Sequence, residues 1–388
     1  MDASIISDCV HCGFCLPTCP TYELWHEEMD SPRGRIWLMK GVVEGTLELN
    51  RSVADHFDRC LGCMACLSSC PSGVRYDRLI ELARERVEEE VPRPARERLL
   101  RALVFAVFPH PRRLRLALRF AGLPAPGAMA PLKELAPPWR EPMSPPVETP
   151  AAGRRIARVG LLIGCVQSVL FGEVNRASAR VLSAYGYEVI APYGGCCGAL
   201  ALHAGRREEG LRLARRAAEA LGGSGAEMIV TNAAGCGSHL KDAGLELPVA
   251  DISELLVTGA PPELNPLPLR VAFQDSCHLR HAQRVRSQPR ELLRSIPELE
   301  LVEPAEQELC CGSAGIYNLV QPEAARTLGD RKASKVLDTE PDVYTSANPG
   351  CLLQVSAALR RAGHPIAAAH PVELIDAALH GSAPRLRR

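Results

Sequence analysis

The chain has 388 residues, 46% hydrophobic and 23% charged, the composition of folded globular protein rather than of a disordered or fibrous one. Forty-five basic residues balance forty-five acidic ones and aromatics make up only 4%, so neither a charge field nor a set of stacking platforms recruits nucleic acid. The opening residues MDASIISDCVHC show no basic stretch followed by an apolar one, and export is not expected. The longest apolar run, Leu99 to Phe108, is about half the ~20 residues a spanning helix needs. The expected compartment is therefore the cytoplasm, where sixteen cysteines point to metal chemistry rather than to a disulfide framework.

From Asp8, DCVHCGFCLPTCPTY carries Cys9, Cys12, Cys15 and Cys19; from Arg59, RCLGCMACLSSCPSG carries Cys60, Cys63, Cys66 and Cys70 at the same intervals. Both runs read C-x2-C-x2-C-x3-C-P and end in Pro20 and Pro71. This is the spacing of bacterial two-cluster ferredoxins, in which three thiolates on a tight loop cap one cubane and the fourth reaches its neighbour. The spacing assigns one [4Fe-4S] cluster to Cys9, Cys12, Cys15 and Cys70, and the other to Cys60, Cys63, Cys66 and Cys19. Gly13 and Gly62 let the backbone approach closely. Zinc usually takes its ligands as two separated pairs, which two four-cysteine runs in one phase do not resemble. The forty residues between the runs have helical periodicity, with Ser31 capping a helix that begins at Pro32. Arg33, Arg35 and Lys40 read as a solvated helix face, with partner steering as the alternative.

Residues 91–153 are rich in proline and arginine. Arg96 to Phe108 and Pro111 to Ala121 predict two short amphipathic helices, packed on the protein's own domains or lying on a membrane or partner. Pro124 to Pro150 predicts an extended connector.

The remainder repeats itself. VGLLIGC ends at Cys165, YEVIAPYGGCCG carries Cys196 and Cys197, and MIVTNAAGCG carries Cys236; VAFQDSC ends at Cys277, LELVEPAEQELCCG carries Cys310 and Cys311, and DVYTSANPGC carries Cys351. Matching cysteines recur 112 to 115 residues apart, the mark of duplication. Each site follows an apolar, β-branched run, and helical stretches intervene, predicting parallel sheets whose carboxyl-edge loops gather the four thiols of each copy. Cys236 and Cys351 are expected just before helices, whose N-termini favour thiolate. Each set of four suits an iron–sulfur cluster or zinc. The expected fold is multidomain: an all-α dicluster ferredoxin-like domain (1–90), the linker (91–153), and two α/β parallel-sheet Cys-Cys-Gly domains (154–262 and 263–388).

This organisation resembles the iron–sulfur subunits of bacterial glycolate oxidase over nearly the whole chain, and CVHCGFCLPTCPTY and DSPRGRI carry the likeness. Relatives of that family include the iron–sulfur subunit of anaerobic glycerol-3-phosphate dehydrogenase and the heterodisulfide reductase subunits of methanogens. The resemblance implies an electron-transfer subunit, peripheral on the inner face of the cell membrane. It implies an FAD-binding 2-hydroxy acid dehydrogenase partner that oxidises glycolate or D-lactate, with quinone or another acceptor downstream. The absence of strand-led G-x-G-x-x-G, G-x-x-x-x-G-K-[ST] and H-E-x-x-H agrees with organic chemistry on another chain. Heterodisulfide reductase domains close each unit with C-x-x-C; here His239 and Gln354 stand at the last position, so four cysteines per copy suit one ordinary cluster. Thiol–disulfide reduction, or service as the iron–sulfur subunit of an anaerobic glycerol-3-phosphate dehydrogenase, is the alternative function, and a zinc-stapled scaffold a third. His239 reads as an exposed helix residue with a ligand role as the alternative. His278 and His281 read as tuning donors beside Cys277 or as uninvolved surface residues.

Overall fold

In the computed structural model, residues 3–119, 134, 143–259 and 261–387 are described. The regular elements among the described residues before Glu148 are helices, joined by loops that carry most of the first two cysteine runs. The helix Pro32–Val43 begins as the sequence predicts: Ser31 Oγ accepts from the Gly34 N–H at 3.0 Å and Pro32 takes the first position, where no N–H is needed. It packs with Arg51–Arg59 and Tyr76–Glu90 around Met39, Phe57, Leu79 and Ile80, all buried.

The linker helices form at Ala95–Val107 and Pro111–Arg119. Val104, Phe105 and Leu114 are buried against the rest of the chain, so both helices pack on their own protein. Residues 120 and 121 of the second expected helix, and 124–133 and 135–142 of the expected connector, lie outside the described residues.

Two sheets follow. The first has the order β1-β3-β2-β4-β5, with β1 (Glu148–Thr149), β2 (Ala157–Leu161), β3 (Tyr187–Ile190), β4 (Met228–Thr231) and β5 (Val249–Asp251). The second has the order β7-β6-β8-β9, with β6 (Arg270–Phe273), β7 (Glu300–Val302), β8 (Val343–Thr345) and β9 (Ala367–Ala369). All pairings are parallel except β1 with β3. Leaving β1 aside, the two orders are the same, so the duplication seen in cysteine spacing is also one of topology. Central strands such as Val343–Thr345 are buried throughout, as helix-covered parallel strands must be. The helices Gly172–Ala184 and Pro371–His380 pack together, joined by Arg180 and Asp376 at 2.6 Å, and one apolar core runs through both sheets.

The N-terminal helices meet the first sheet unit at a group of carboxylates. Glu81 has its carboxyl pushed up to about 7 by burial and by Asp77 and Asp242. Such a group holds its proton more tightly in the folded chain, so its favourable contribution is complete at low pH and is lost as pH rises through about 7. In thermal melts, Glu81→Gln should gain on the native chain as pH goes from about 5 to about 8; parallel curves would refute this.

Candidate metal centres

The two N-terminal cysteine runs wind alike. His11 and Gly62 have φ of 53° and 63°, and Gly13 and Met64 have φ of 87° and 62°, so matching positions of both loops are left-handed whether or not glycine fills them. Cys9, Cys12, Cys15 and Cys70 line one cavity, and Cys66 of the second run lines it with them. Cys19 lies within electrostatic reach of Cys63 and Cys66. Cys70 thus lies against the first run, and Cys19 lies near its own Cys15 as well as near the second run. Among the described residues no three Cys, His, Asp or Glu side chains close on a point where one ion sits. The thiols around the first cavity are spread along its walls.

Arg35 departs from its reading as a solvated residue: it is fully buried. Its guanidinium donates to His56 O at 2.6 Å and to Thr21 Oγ1 at 3.1 Å, and pairs with Asp30 at 3.4 Å. Burial raises the Cys60 thiol, but the charges of Arg35 and Arg84, with bonds from Tyr76 Oη (3.6 Å) and the Gly62 N–H (3.3 Å), hold it below its ordinary value. Burial pushes Cys63 and Cys66 well up. Arg33, which keeps partial exposure, pairs with Glu28 at 2.7 Å and donates to His11 O at 3.1 Å, bracing the first cysteine loop.

In the first sheet unit the thiols form a chain at the carboxyl edge. Cys165 lies 3.4 Å from Cys196, Cys196 adjoins Cys197, and Cys197 lies 3.1 Å from Cys236. The second unit repeats it, with the thiol of Cys277 close to that of Cys310, Cys310 beside Cys311, and Cys311 close to Cys351. In the first chain Cys165 and Cys197 share protons with Cys196, which pushes those two up and Cys196 well below its ordinary value. Cys236 and Cys351 lie inside the first turns of Ala234–Asp242 and Pro349–Arg361 rather than ahead of them.

The glycine of each triplet has a physical cause. Gly198 and Gly312 have φ of +91° and +87°, and an added Cβ would collide with Gly210 O and with Ala325 O, on the backbones of the helices Arg207–Gly222 and Pro322–Leu337. His239 and Gln354 bond to these same two carbonyls. His239 is buried, not exposed, and its Nε2 donates to Gly210 O at 3.2 Å; Gln354 Nε2 donates to Ala325 O at 2.7 Å. The positions that break the C-x-x-C pattern thus tie each helix against its Cys-Cys-Gly turn.

His281 is also buried, contrary to a surface role. Its Nδ1 lies 2.7 Å from Ser68 Oγ and its Nε2 donates to Glu308 O at 3.1 Å, so it joins the second cysteine run to the second sheet unit. His278 Nδ1 is 3.6 Å from Cys277 Sγ, and its ring meets that of His203 edge-on at 4.9 Å. Cys63, Cys277 and Cys310 share one apolar cluster with Tyr317. Asn348 links the two triplet sites, donating to Cys351 Sγ (3.6 Å) and accepting from the Gly235 N–H (3.3 Å). Its place directly ahead of a proline-led helix was a readable cap signal. Arg84 carried none.

The chain matches the 4Fe-4S dicluster domain over residues 5–74 and the Cysteine-rich domain over 159–241 and 271–356. It is 37% identical to the glycolate oxidase iron-sulfur subunit of Escherichia coli, over 97% of this chain and 95% of that one. It is 35% identical to the probable glycolate oxidase iron-sulfur subunit of Bacillus subtilis, over 94% and 91%. A hypothetical protein from Helicobacter pylori shares the fold, with a TM-score of 0.53, 11% identity, and coverage of 89% of this chain and 66% of that one. The chain is an iron–sulfur protein with a dicluster domain and two cysteine-rich domains. It belongs to the family of glycolate oxidase iron–sulfur subunits.

The shared role of His239 and Gln354 is testable by exchange. His239→Gln should keep the metal content and melting temperature of the native chain, whereas His239→Leu should lose about 0.5–1.5 kcal/mol of stability with the bond. Equal loss in both variants, read by urea unfolding, would refute the equivalence.

Proposed function

We propose that the chain is the electron-transfer subunit of a complex that oxidises glycolate or D-lactate on an FAD-binding partner and passes electrons toward quinone. The observation that carries this reading is the continuity of the thiol sets: Cys12 is exposed at one end, and Cys63 packs with Cys277 and Cys310 at the other. Cys9, Cys12, Cys15 and Cys70 would hold one [4Fe-4S] cluster, and Cys60, Cys63, Cys66 and Cys19 the second, within an all-helical module. The two Cys-Cys-Gly sets would hold a further cluster or zinc each. When bound, such clusters accept and release single electrons.

The protein's own residues supply the setting. Arg35 and Arg84 compensate negative charge at a buried site, where an unpaired anion is costly. Val10, Phe14 and Trp37 are exposed apolar side chains around the first loop, a surface suited to the flavoprotein partner. No helix among the described residues is long and apolar enough to cross a membrane; attachment to the inner face of the cell membrane would be peripheral. Thiol–disulfide reduction is less well supported, because His239 and Gln354 are committed to backbone carbonyls.

Anaerobic purification of the chain with its partner should give about eight irons from the two cubanes, plus iron or zinc from the triplet sites. Cys70→Ser should remove the cluster assigned to the first run and leave that of its own run. A preparation without iron, or a flavoprotein that reduces quinone equally well alone, would overturn the reading.

A further inference from the structure

A cavity of about 640 Å³ lies where the second cysteine run, the helix Ala95–Val107 and both sheet units meet. Its walls are mainly apolar, from Leu61, Leu100, Leu103, Ile316 and Leu319 among others, and Cys60 lies in the lining. Three buried polar atoms without a partner belong to residues of this lining: Tyr317 Oη, Arg101 Nε and Arg51 Nη1. Tyr317 is 4% exposed and Arg101 7%, so neither is a surface group that water satisfies freely. A buried donor left unmade costs about 1–3 kcal/mol, so a hydrogen-bond acceptor that entered the cavity would gain by drawing these groups toward it.

The lining also narrows the ligand class. Asp55, Asp58 and Glu97 share the cavity with Arg51, Arg84, Arg96 and Arg101, so three carboxylates offset most of the positive charge that would select a carboxylate. A two-carbon hydroxy acid would fill little of such a volume and leave the leucines uncovered. Tyr317 lies in the apolar cluster of Cys63, Cys277 and Cys310 and within electrostatic reach of Cys60, so an occupant adjoins two thiol sets. At the rim, Leu99 and Leu103 are 63% and 48% exposed, and Leu116 on the next helix is 57% exposed among exposed arginines. That rim suits a molecule arriving from a lipid surface.

We infer that this cavity binds a quinone, with Tyr317 Oη and the Arg101 Nε–H donating to its carbonyl oxygens. The assignment rests on the quinone relay proposed above and adds its location. In the net reaction the 2-hydroxy acid loses two electrons and two protons on the partner and becomes the 2-oxo acid. The quinone takes up two electrons, one at a time, and two protons, so that both C=O groups become C–OH. Asp55, Asp58 and Glu97 lie in the wall for proton supply from solvent.

The test uses the assembled complex with its flavoprotein and a short-chain azidoubiquinone. Photolabelling of the native complex, followed by peptide mapping, should mark residues 94–103 or 314–322, and excess unlabelled short-chain ubiquinone should suppress the label. Leu100→Trp, which fills the cavity, should raise KM for the quinone at least tenfold while iron and sulfide content stay native. Tyr317→Phe should weaken labelling without altering the magnetic spectrum of the reduced protein. Label elsewhere on the complex, with quinone still reduced, would overturn the location and leave the relay standing. No label and no quinone reduction by a complex that still reduces ferricyanide would overturn both. If Leu100→Trp fails to assemble, labelling of the native complex decides alone.

Discussion

Burying sulfur donors that must carry negative charge is the constraint around which the N-terminal half is built. An isolated thiolate in an apolar interior is driven back to the thiol, as Cys63 and Cys66 show. Arg35 and Arg84 oppose that tendency at Cys60. Each arginine is itself held by several bonds: Arg35 by His56 O, Thr21 and Asp30, and Arg84 by the carbonyls of Cys60 and Phe57 and by His203 O at 3.2 Å. Since His203 belongs to the first sheet unit, the residue that compensates charge also ties that unit to the cysteine loops. Charge compensation and domain assembly are one interaction here.

The Cys-Cys-Gly turns solve a different problem, that of placing two adjacent sulfurs on one side of a chain. The turn must reverse, so its third residue adopts positive φ, and a helix backbone lies against the glycine with no room for a side chain. The N–H of Gly198 then donates to Cys196 Sγ at 3.4 Å, and Gly312 does the same for Cys310. The clamp from His239 or Gln354 holds the helix that presses on the turn. A histidine and a glutamine can share this task because each presents an N–H at the end of a side chain of similar reach.

The parts of this arrangement legible in the sequence were those encoded by local period and spacing. Strands ahead of Cys165, Cys196, Cys236 and their second-copy equivalents were readable because parallel strands covered on both faces are short apolar runs. The cysteine sets were readable because their intervals repeat. Arg35 and His239 were not, since a polar residue on a helix looks the same whether it meets water or a buried partner contributed by a distant segment. Asp30, His56 and Thr21 meet Arg35 only after three helices pack. The cavity beside Cys60 was illegible for the same reason: its walls come from residues near 60, 100, 203 and 317, which no local pattern relates.

The helix Ala95–Val107, which the sequence places in a proline- and arginine-rich linker, is part of the cavity wall. Within Ala95–Val107 the apolar residues divide between two faces. Val104 and Phe105 are buried, whereas Leu99 and Leu103 remain exposed at the cavity rim. A helix serving only as a spacer would gain nothing by exposing leucines, and one serving only as core would bury them. Arg101 fixes its rotation, donating to Ala204 O at 2.5 Å and pairing with Glu88 at 2.9 Å, so the exposed leucines keep a set direction. The helix therefore closes one wall of the cavity and presents apolar surface at its mouth, with exposed arginines beside it.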